Sequence, residues 1–250
     1  MDRAYYLKYY DFEKNHWWFR ARAEILKDYI RKHCQAFEGI KILNVGAATG
    51  GSIEWLSQLG EVTSIEFDKE SVSFISEHLK VEILEGSILS LPFAENTFDL
   101  VCAFDVIEHI ENDALGVREL ARVCKANGAV LITVPAHMLL WSQHDEVNHH
   151  YRRYEIASLA KLLKDLPSGK VRFMTYFNHY FYLPILLVRR MNNLFSRIFG
   201  DKKLKSDFET FQSGFFNEFF FSVMAGERKR VSSHDGFKSG VSILAHWIKN

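Results

Sequence analysis

Cysteine is scarce in this chain: three residues in 250, Cys34, Cys102 and Cys124. They lie far apart and form neither a metal knuckle nor a redox pair, which excludes a disulfide scaffold and predicts reduced structural thiols in a cytoplasmic protein. Charge excess is also missing. Lys+Arg and Asp+Glu both number 31, so no global field draws in nucleic acid, and none is expected as a partner. No apolar run is long enough to cross a bilayer; the segment Tyr180–Val188 is nine residues and ends at Arg189-Arg190. The first thirty residues are aromatic and charged without an apolar core, so a secretory leader is not expected. Internal repeats and low-complexity segments are absent, and no glycine turn ends in Gly-Lys-Ser/Thr, which argues against a nucleotide-triphosphate loop.

What is present is ordinary globular material, 48% hydrophobic and 25% charged. The length suits one large domain or one domain with an insertion. Residues 1–33 read as helical. Short apolar runs at Lys41–Val45, Glu61–Glu66, Val81–Glu85, Phe98–Ala103, Ala129–Val134 and Val171–Phe177 read as strands. Helical patterns separate them: one capped by Ser52 and stopped by Gly60, then Lys69–Leu79, Asn112–Cys124 with Leu115, Leu120 and Val123 inward, and Tyr154–Leu166. Alternating strands and helices predict a mostly parallel sheet, with ligands beyond the carboxyl ends of its strands. Gly240–Ile248 is strand-like and could pair beside the sixth strand. The roughly 60 residues between them are too many for a plain loop and predict a helical insertion. Inside it, Ser206-Asp-Phe-Glu209 is a capping box. Phe208, Phe211, Phe215 and Phe219 follow on one stripe, widened by Phe216, Phe220 and Val223.

The chemistry gathers at the strand tips. Lys41-Ile-Leu-Asn-Val-Gly-Ala-Ala-Thr-Gly50 is a strand, a glycine turn and a helix start, and Glu66 ends the next strand. Gly46 and Gly50 let the backbone approach a ligand. A carboxylate at Glu66 can accept both hydrogen bonds of a ribose diol. Further on come Gly86-Ser-Ile-Leu-Ser-Leu-Pro-Phe93, Asn96-Thr-Phe-Asp-Leu-Val101 and Asp105-Val-Ile-Glu-His-Ile110. In order and spacing these four motifs resemble the class I S-adenosylmethionine-dependent methyltransferases of the type 11-like, small-molecule kind. The resemblance runs from about residue 38 to 176 and extends to His16-Trp-Trp-Phe-Arg20 and to 240–248.

That resemblance implies an α/β, Rossmann-like, doubly wound and mostly parallel seven-stranded sheet. It carries an N-terminal helical lid (1–33), a core (34–176 and 240–250) and a helical insertion before the last strand (177–239). It implies S-adenosylmethionine as cofactor and S-adenosylhomocysteine as its product. Gly46, Ala47, Ala48 and Gly50 would lie beside the methionine part. Glu66 would hold the ribose and Phe67 would pack on the adenine, with Ser87 and Ile88 at the adenine edge. Asp105 and Val106 would form the pocket floor, and Trp18 and Arg22 would close over it from the lid. Three positions depart from the family pattern: Asn44 where an acid is common, Ala48 where a glycine is common, and Ser87 where an aspartate is common. These motivate the alternative of a catalytically impaired scaffold on the same fold.

Histidines supply the candidate catalytic groups. His109, His144 and His149 follow the fourth and fifth strands, where a neutral imidazole could take a proton from an acceptor hydroxyl or amine. Arg152 and Arg153 could bind an acidic substrate group. His144, Asp145, His149 and His150 are competent metal ligands, but no tetrahedral spacing stands out among them, so no metal is expected. The acceptor is expected to be a small or lipid-linked molecule. The Phe-rich insertion is expected to roof its pocket, to touch a membrane peripherally or to form a homodimer contact.

Overall fold

The computed structural model describes residues 3–34, 39–199 and 214–250. Seven strands form one sheet: β1 (Lys41–Val45), β2 (Glu61–Glu66), β3 (Leu84–Glu85), β4 (Phe98–Phe104), β5 (Cys124–Pro135), β6 (Gly169–Phe177) and β7 (Ser242–Lys249). Their order is β3-β2-β1-β4-β5-β7-β6, and β7 alone runs antiparallel to its neighbours. The doubly wound, mostly parallel sheet expected from the alternating pattern is therefore present. The helices are α1 (Arg3–Asn15), α2 (Trp17–His33), α3 (Gly51–Leu56), α4 (Lys69–Leu79), α5 (Asp113–Val123), α6 (Gln143–Val147), α7 (Ile156–Lys164), α8 (Tyr182–Phe199), α9 (Gly214–Ala225) and α10 (Arg228–Ser232).

Central strands covered on both faces must be apolar along their whole length. Ile42 to Val45 of β1 and Leu100 to Phe104 of β4 are all buried, as are Ala129 to Pro135 of β5. The core continues into α2, where Tyr29 is fully buried and stacks on Phe173 of β6. β7 forms the ladder between β5 and β6, pairing Ala245 with Ile132 and with Met174. The segment at 240–248 thus reaches the sixth strand, as its pattern predicts, and also closes the gap to the fifth.

Several boundaries differ from the sequence expectation. β3 is two residues rather than five, because Val81 and Ile83 turn away from the ladder to pack with Ile75 and Phe74 of α4. α3 is capped by Gly50 rather than Ser52, whose hydroxyl instead accepts from the Asn44 side chain at 3.0 Å. Leu115 is exposed, and the inner face of α5 is Gly116, Val117 and Leu120. β5 begins at Cys124, straight after α5, and runs through Asn127-Gly128, where Asn127 takes φ 61°.

The insertion between β6 and β7 contributes α8, α9 and α10. α9 clasps the junction of α1 and α2: the Trp17 amide donates to Asn217 Oδ1 (2.8 Å), Asn217 Nδ2 donates to the Asn15 carbonyl (3.0 Å), and Arg20 pairs with Glu218. The Trp17 ring sits 5.0 Å from Phe181 and 5.5 Å from Phe220. The capping box at 206–209, with Phe208 and Phe211, lies outside the described residues. Of the remaining stripe, Phe215, Phe216 and Phe219 are exposed and Phe220 turns inward to Trp17. No helix among the described residues is long and apolar enough to cross a membrane.

Candidate active site

A cavity of about 1100 Å³ opens across the carboxyl ends of the strands, at the point where strand order reverses beside β1. Three residues there hold left-handed backbone without being glycine: Ala48 (φ 51°), Asp105 (φ 57°) and Asn178 (φ 57°), after β1, β4 and β6. All three line the cavity. Such strain persists only where the surroundings over-determine it, and it concentrates at working sites. Gly46 (φ 74°) meets the same demand differently, since a Cβ there would lie 2.5 Å from Val106 Cγ2.

On the β2 side of β1 the acid is Glu66. Its Oε2 accepts from the Ala48 amide (2.9 Å), and its Oε1 accepts from the amides of Phe67 (2.7 Å) and Asp68 (2.9 Å). Burial raises its pKa while those three amides pull it down. A carboxylate has about four lone-pair sites, so beyond these three amides one remains for a hydroxyl facing the cavity. Phe67 is 76% exposed, a large ring standing at the cavity wall. Ser87 and Ile88 line the same end, and the Ser87 hydroxyl accepts from the Leu89 amide at 3.2 Å. This donor and acceptor set fits an adenosine.

Above β1 the turn is held by a residue that no sequence motif marks. Glu13 of α1 accepts from the Gly51 amide (3.0 Å) and from the Thr49 hydroxyl. It satisfies an orphan donor at the α3 N-terminus from a distant helix. Burial pushes its pKa up, opposed by those donors and by Arg22. Arg22 of α2 stacks on Trp18 (4.7 Å) and pairs with Asp105. Trp18, Arg22, Asp105 and Val106 all line the cavity. Ala47 and Gly50 do not. Ala47 is buried among Tyr6 and Ile53, and a Cβ at Gly50 would strike Leu79, so both face away from the ligand space.

On the β4 and β5 side stand Glu108, His109, His144 and His150. Glu108 sits in a single 3-10 turn (Ile107–His109), fully buried, with neither carboxylate oxygen hydrogen-bonded. Burial and the neighbouring Asp105 push its pKa well up. His109 faces the cavity, and burial with the adjacent His150 lowers its pKa to about 4. It is therefore neutral near pH 7. His149 is exposed, takes φ 55° and lies off the cavity wall, so the catalytic role expected for it is not supported by its position. His150 turns inward instead.

The two arginines are occupied. Arg153 is buried, donating from Nε to Asp145 (2.7 Å) and from Nη1 to the Ala136 carbonyl (3.1 Å). Arg152 pairs with Asp113 (2.9 Å) and donates to the Glu111 carbonyl. Neither is available to grip an acidic substrate. Asp145, fully buried, also accepts from the Ser142 amide and pairs with His150 Nδ1 (2.9 Å). Its pKa is held far below the usual carboxylate range by His150 and Arg153, against its own burial.

Residues 43–132 match the family described as a methyltransferase domain. That segment is thus similar to the methyltransferase domain of S-adenosylmethionine-dependent methyltransferases. Among curated relatives, a Mycobacterium tuberculosis protein described as a probable S-adenosylmethionine-dependent methyltransferase is 26% identical over 62% of this chain and 57% of its own length. A demethylmenaquinone methyltransferase of Corynebacterium kroppenstedtii is 33% identical over 56% of this chain and 61% of its own length. The chain thus spans less than two thirds of the length of these relatives. The fold is also that of a methyltransferase crystal structure from Aquifex aeolicus, with TM-score 0.52 and 18% identity over 70% of this chain and 93% of that one.

Glu13 and Glu108 line the site with no role assigned to them from the sequence, and His150 stands there only among the competent metal ligands. Glu13 gives no local signal, since it works across 36 residues of chain. Glu108 does: it is a lone acid in the apolar run Val106-Ile-Glu-His-Ile110.

Proposed function

We propose that this protein transfers a methyl group from S-adenosylmethionine to a hydroxyl, or an amine, of a small or lipid-linked acceptor. The observation that carries this reading is the placement of two chemistries on opposite sides of β1 within one cavity. Glu66 with its acceptor capacity lies on the β2 side, and the histidine group lies on the β4 and β5 side. The cavity exceeds the roughly 300–1,000 Å³ usual for a single ligand, leaving room for donor and acceptor together.

S-adenosylmethionine supplies an electrophilic methyl on a sulfonium. The protein's own residues do the rest. Glu66 binds the ribose, and Phe67, Ser87 and Ile88 border the adenine. Asp105, held by Arg22, sets the floor. Trp17 and Trp18 of the lid, latched by α9, exclude water and fix the two partners in line, which is where most of the acceleration of such a transfer comes from. The imidazole of His144 takes the acceptor's proton, a modest further gain.

The acceptor end is walled by Phe181, Pro184, Ile185, Val188 and Phe220 from the insertion. An apolar acceptor suits that wall, and the relative that acts on demethylmenaquinone points the same way. The exposed Leu183, Leu187, Phe215, Phe216 and Phe219 beside it suit a peripheral membrane contact or a homodimer contact.

The test is transfer of labelled methyl from S-adenosylmethionine to a panel of apolar hydroquinones, phenols and amines. Labelled product from at least one, with turnover in His144→Ala reduced far more than cofactor affinity, supports the reading. Tight cofactor binding with no transfer to any of them would favour the scaffold alternative.

A further inference from the structure

We propose that Glu108, His109 and His150 form a binding site for a divalent transition-metal cation of the zinc or iron type, at the acceptor end of the cavity. Each offers one ligand atom, and these atoms lie within 4.8 Å of one another. The sequence spacing conceals the set because His150 arrives from the turn after α6, forty-two residues downstream of Glu108.

A second observation points to a missing ligand. Glu108 is fully buried, lines the cavity, and neither of its oxygens meets a donor. Buried carboxylates without a hydrogen bond or counter-charge are rare because desolvation is costly, and a cation in the cavity would complete this one. Nearby positive groups are already committed: Arg22 to Asp105, and Arg153 to Asp145.

A third observation concerns the imidazoles. His150 Nδ1 lies 2.9 Å from Asp145 Oδ1, and Asp145 is in turn fixed by Arg153 and the Ser142 amide. With the proton on Nδ1, the Nε2 lone pair is presented outward. This carboxylate–histidine arrangement is the usual way proteins orient a metal-ligating histidine. His109 stands edge-on to His150, ring centroids 4.5 Å apart, at the cavity surface.

Two imidazoles and one carboxylate select zinc, iron or related cations over magnesium, which prefers oxygen donors and water. Three protein ligands leave open positions, and those face the cavity. An acceptor oxygen could enter one of them. The inference does not depend on methyl transfer, since cation binding can be measured without cofactor or acceptor.

The experiment uses untagged full-length protein, stripped with chelator and dialysed. Zn²⁺ is titrated by calorimetry, and Co²⁺ is titrated by its visible absorption. One equivalent of each is expected to bind, with a cobalt spectrum of low coordination number, and a large excess of Mg²⁺ is not expected to compete. His109→Ala and Glu108→Gln are expected to weaken Zn²⁺ binding by about 100-fold or more, and Asp145→Asn, acting through His150, by about 10–100-fold. His234→Ala, in the separate histidine cluster near Tyr29, is expected to leave binding unchanged. Thermal melts confirm that each variant is folded. Failure of the stripped wild-type protein to bind one equivalent overturns the site. Undiminished binding in folded His109→Ala protein, or loss of binding in His234→Ala, overturns it equally. A cofactor titration on the same sample keeps this outcome separate from any failure of the methyltransferase reading.

Discussion

The Glu66 carboxylate and the Ala48 amide are joined by a 2.9 Å hydrogen bond that ties the tip of β2 to the turn after β1. The bond holds Ala48 at φ 51°, a conformation that costs an L-residue roughly 1–2 kcal/mol and a glycine almost nothing. Ala48→Gly is therefore expected to stabilise the fold by about 0.5–1 kcal/mol, after the extra chain entropy of glycine is subtracted. Urea denaturation of the two proteins checks this. The same substitution is expected to leave cofactor affinity intact, because the amide that meets Glu66 remains.

Glu13 acts as a cap supplied from outside its helix. Glu13→Ala removes the acceptor from the Gly51 amide and from the Thr49 hydroxyl, and the loss is expected to cost about 0.5–2 kcal/mol, the range of a conventional helix cap. Because Glu13 also fastens α1 to the glycine turn, its loss is expected to speed proteolysis within residues 3–15 and to weaken cofactor binding. Unchanged proteolysis with unchanged stability would show that α1 is fixed by other contacts.

Acid should loosen the lid. His16 caps α2, its Nδ1 accepting from the Trp18 amide at 3.3 Å, and burial lowers its pKa to about 4. His246 is buried in β7, with its pKa lowered to about 3 by burial and by the nearby His33, His234 and Arg172. Both are neutral when folded and take up protons more readily when unfolded, near the ordinary 6.5. The unfolded chain thus binds more protons between about pH 3 and 6.5, and stability falls as pH drops through that window. Each group contributes a slope of up to about 1.4 kcal/mol per pH unit. Denaturation midpoints at pH 7.5 and 5 are expected to differ in that direction, and His246→Asn is expected to flatten the dependence.

The parts of this molecule legible in its sequence are those governed by local pattern. β1, β2 and α4 begin and end where their apolar runs, Gly60 and Asp68 place them. Glu66, Ser87, Asp105 and His109 reach the cavity because each lies at or just past the end of a strand whose direction the alternating pattern fixes. What the sequence hides depends on side chains meeting across the fold. Arg153 looks like a substrate anchor until the fold buries it against Asp145. His149 and His150 are neighbours of one type, and only the left-handed backbone at His149 decides which turns inward. Trp17 was expected in a lid, but its latch on Asn217 lies 200 residues away.

The most direct test of the account is calorimetric titration of the wild-type protein and of Glu66→Ala with S-adenosylmethionine. One equivalent is expected to bind the wild-type protein, with affinity in Glu66→Ala reduced at least tenfold, the equivalent of about 1.4 kcal/mol for hydrogen bonds to a charged group. Absence of binding to the wild-type protein at millimolar cofactor, or equal affinity in a folded Glu66→Ala protein, would contradict it.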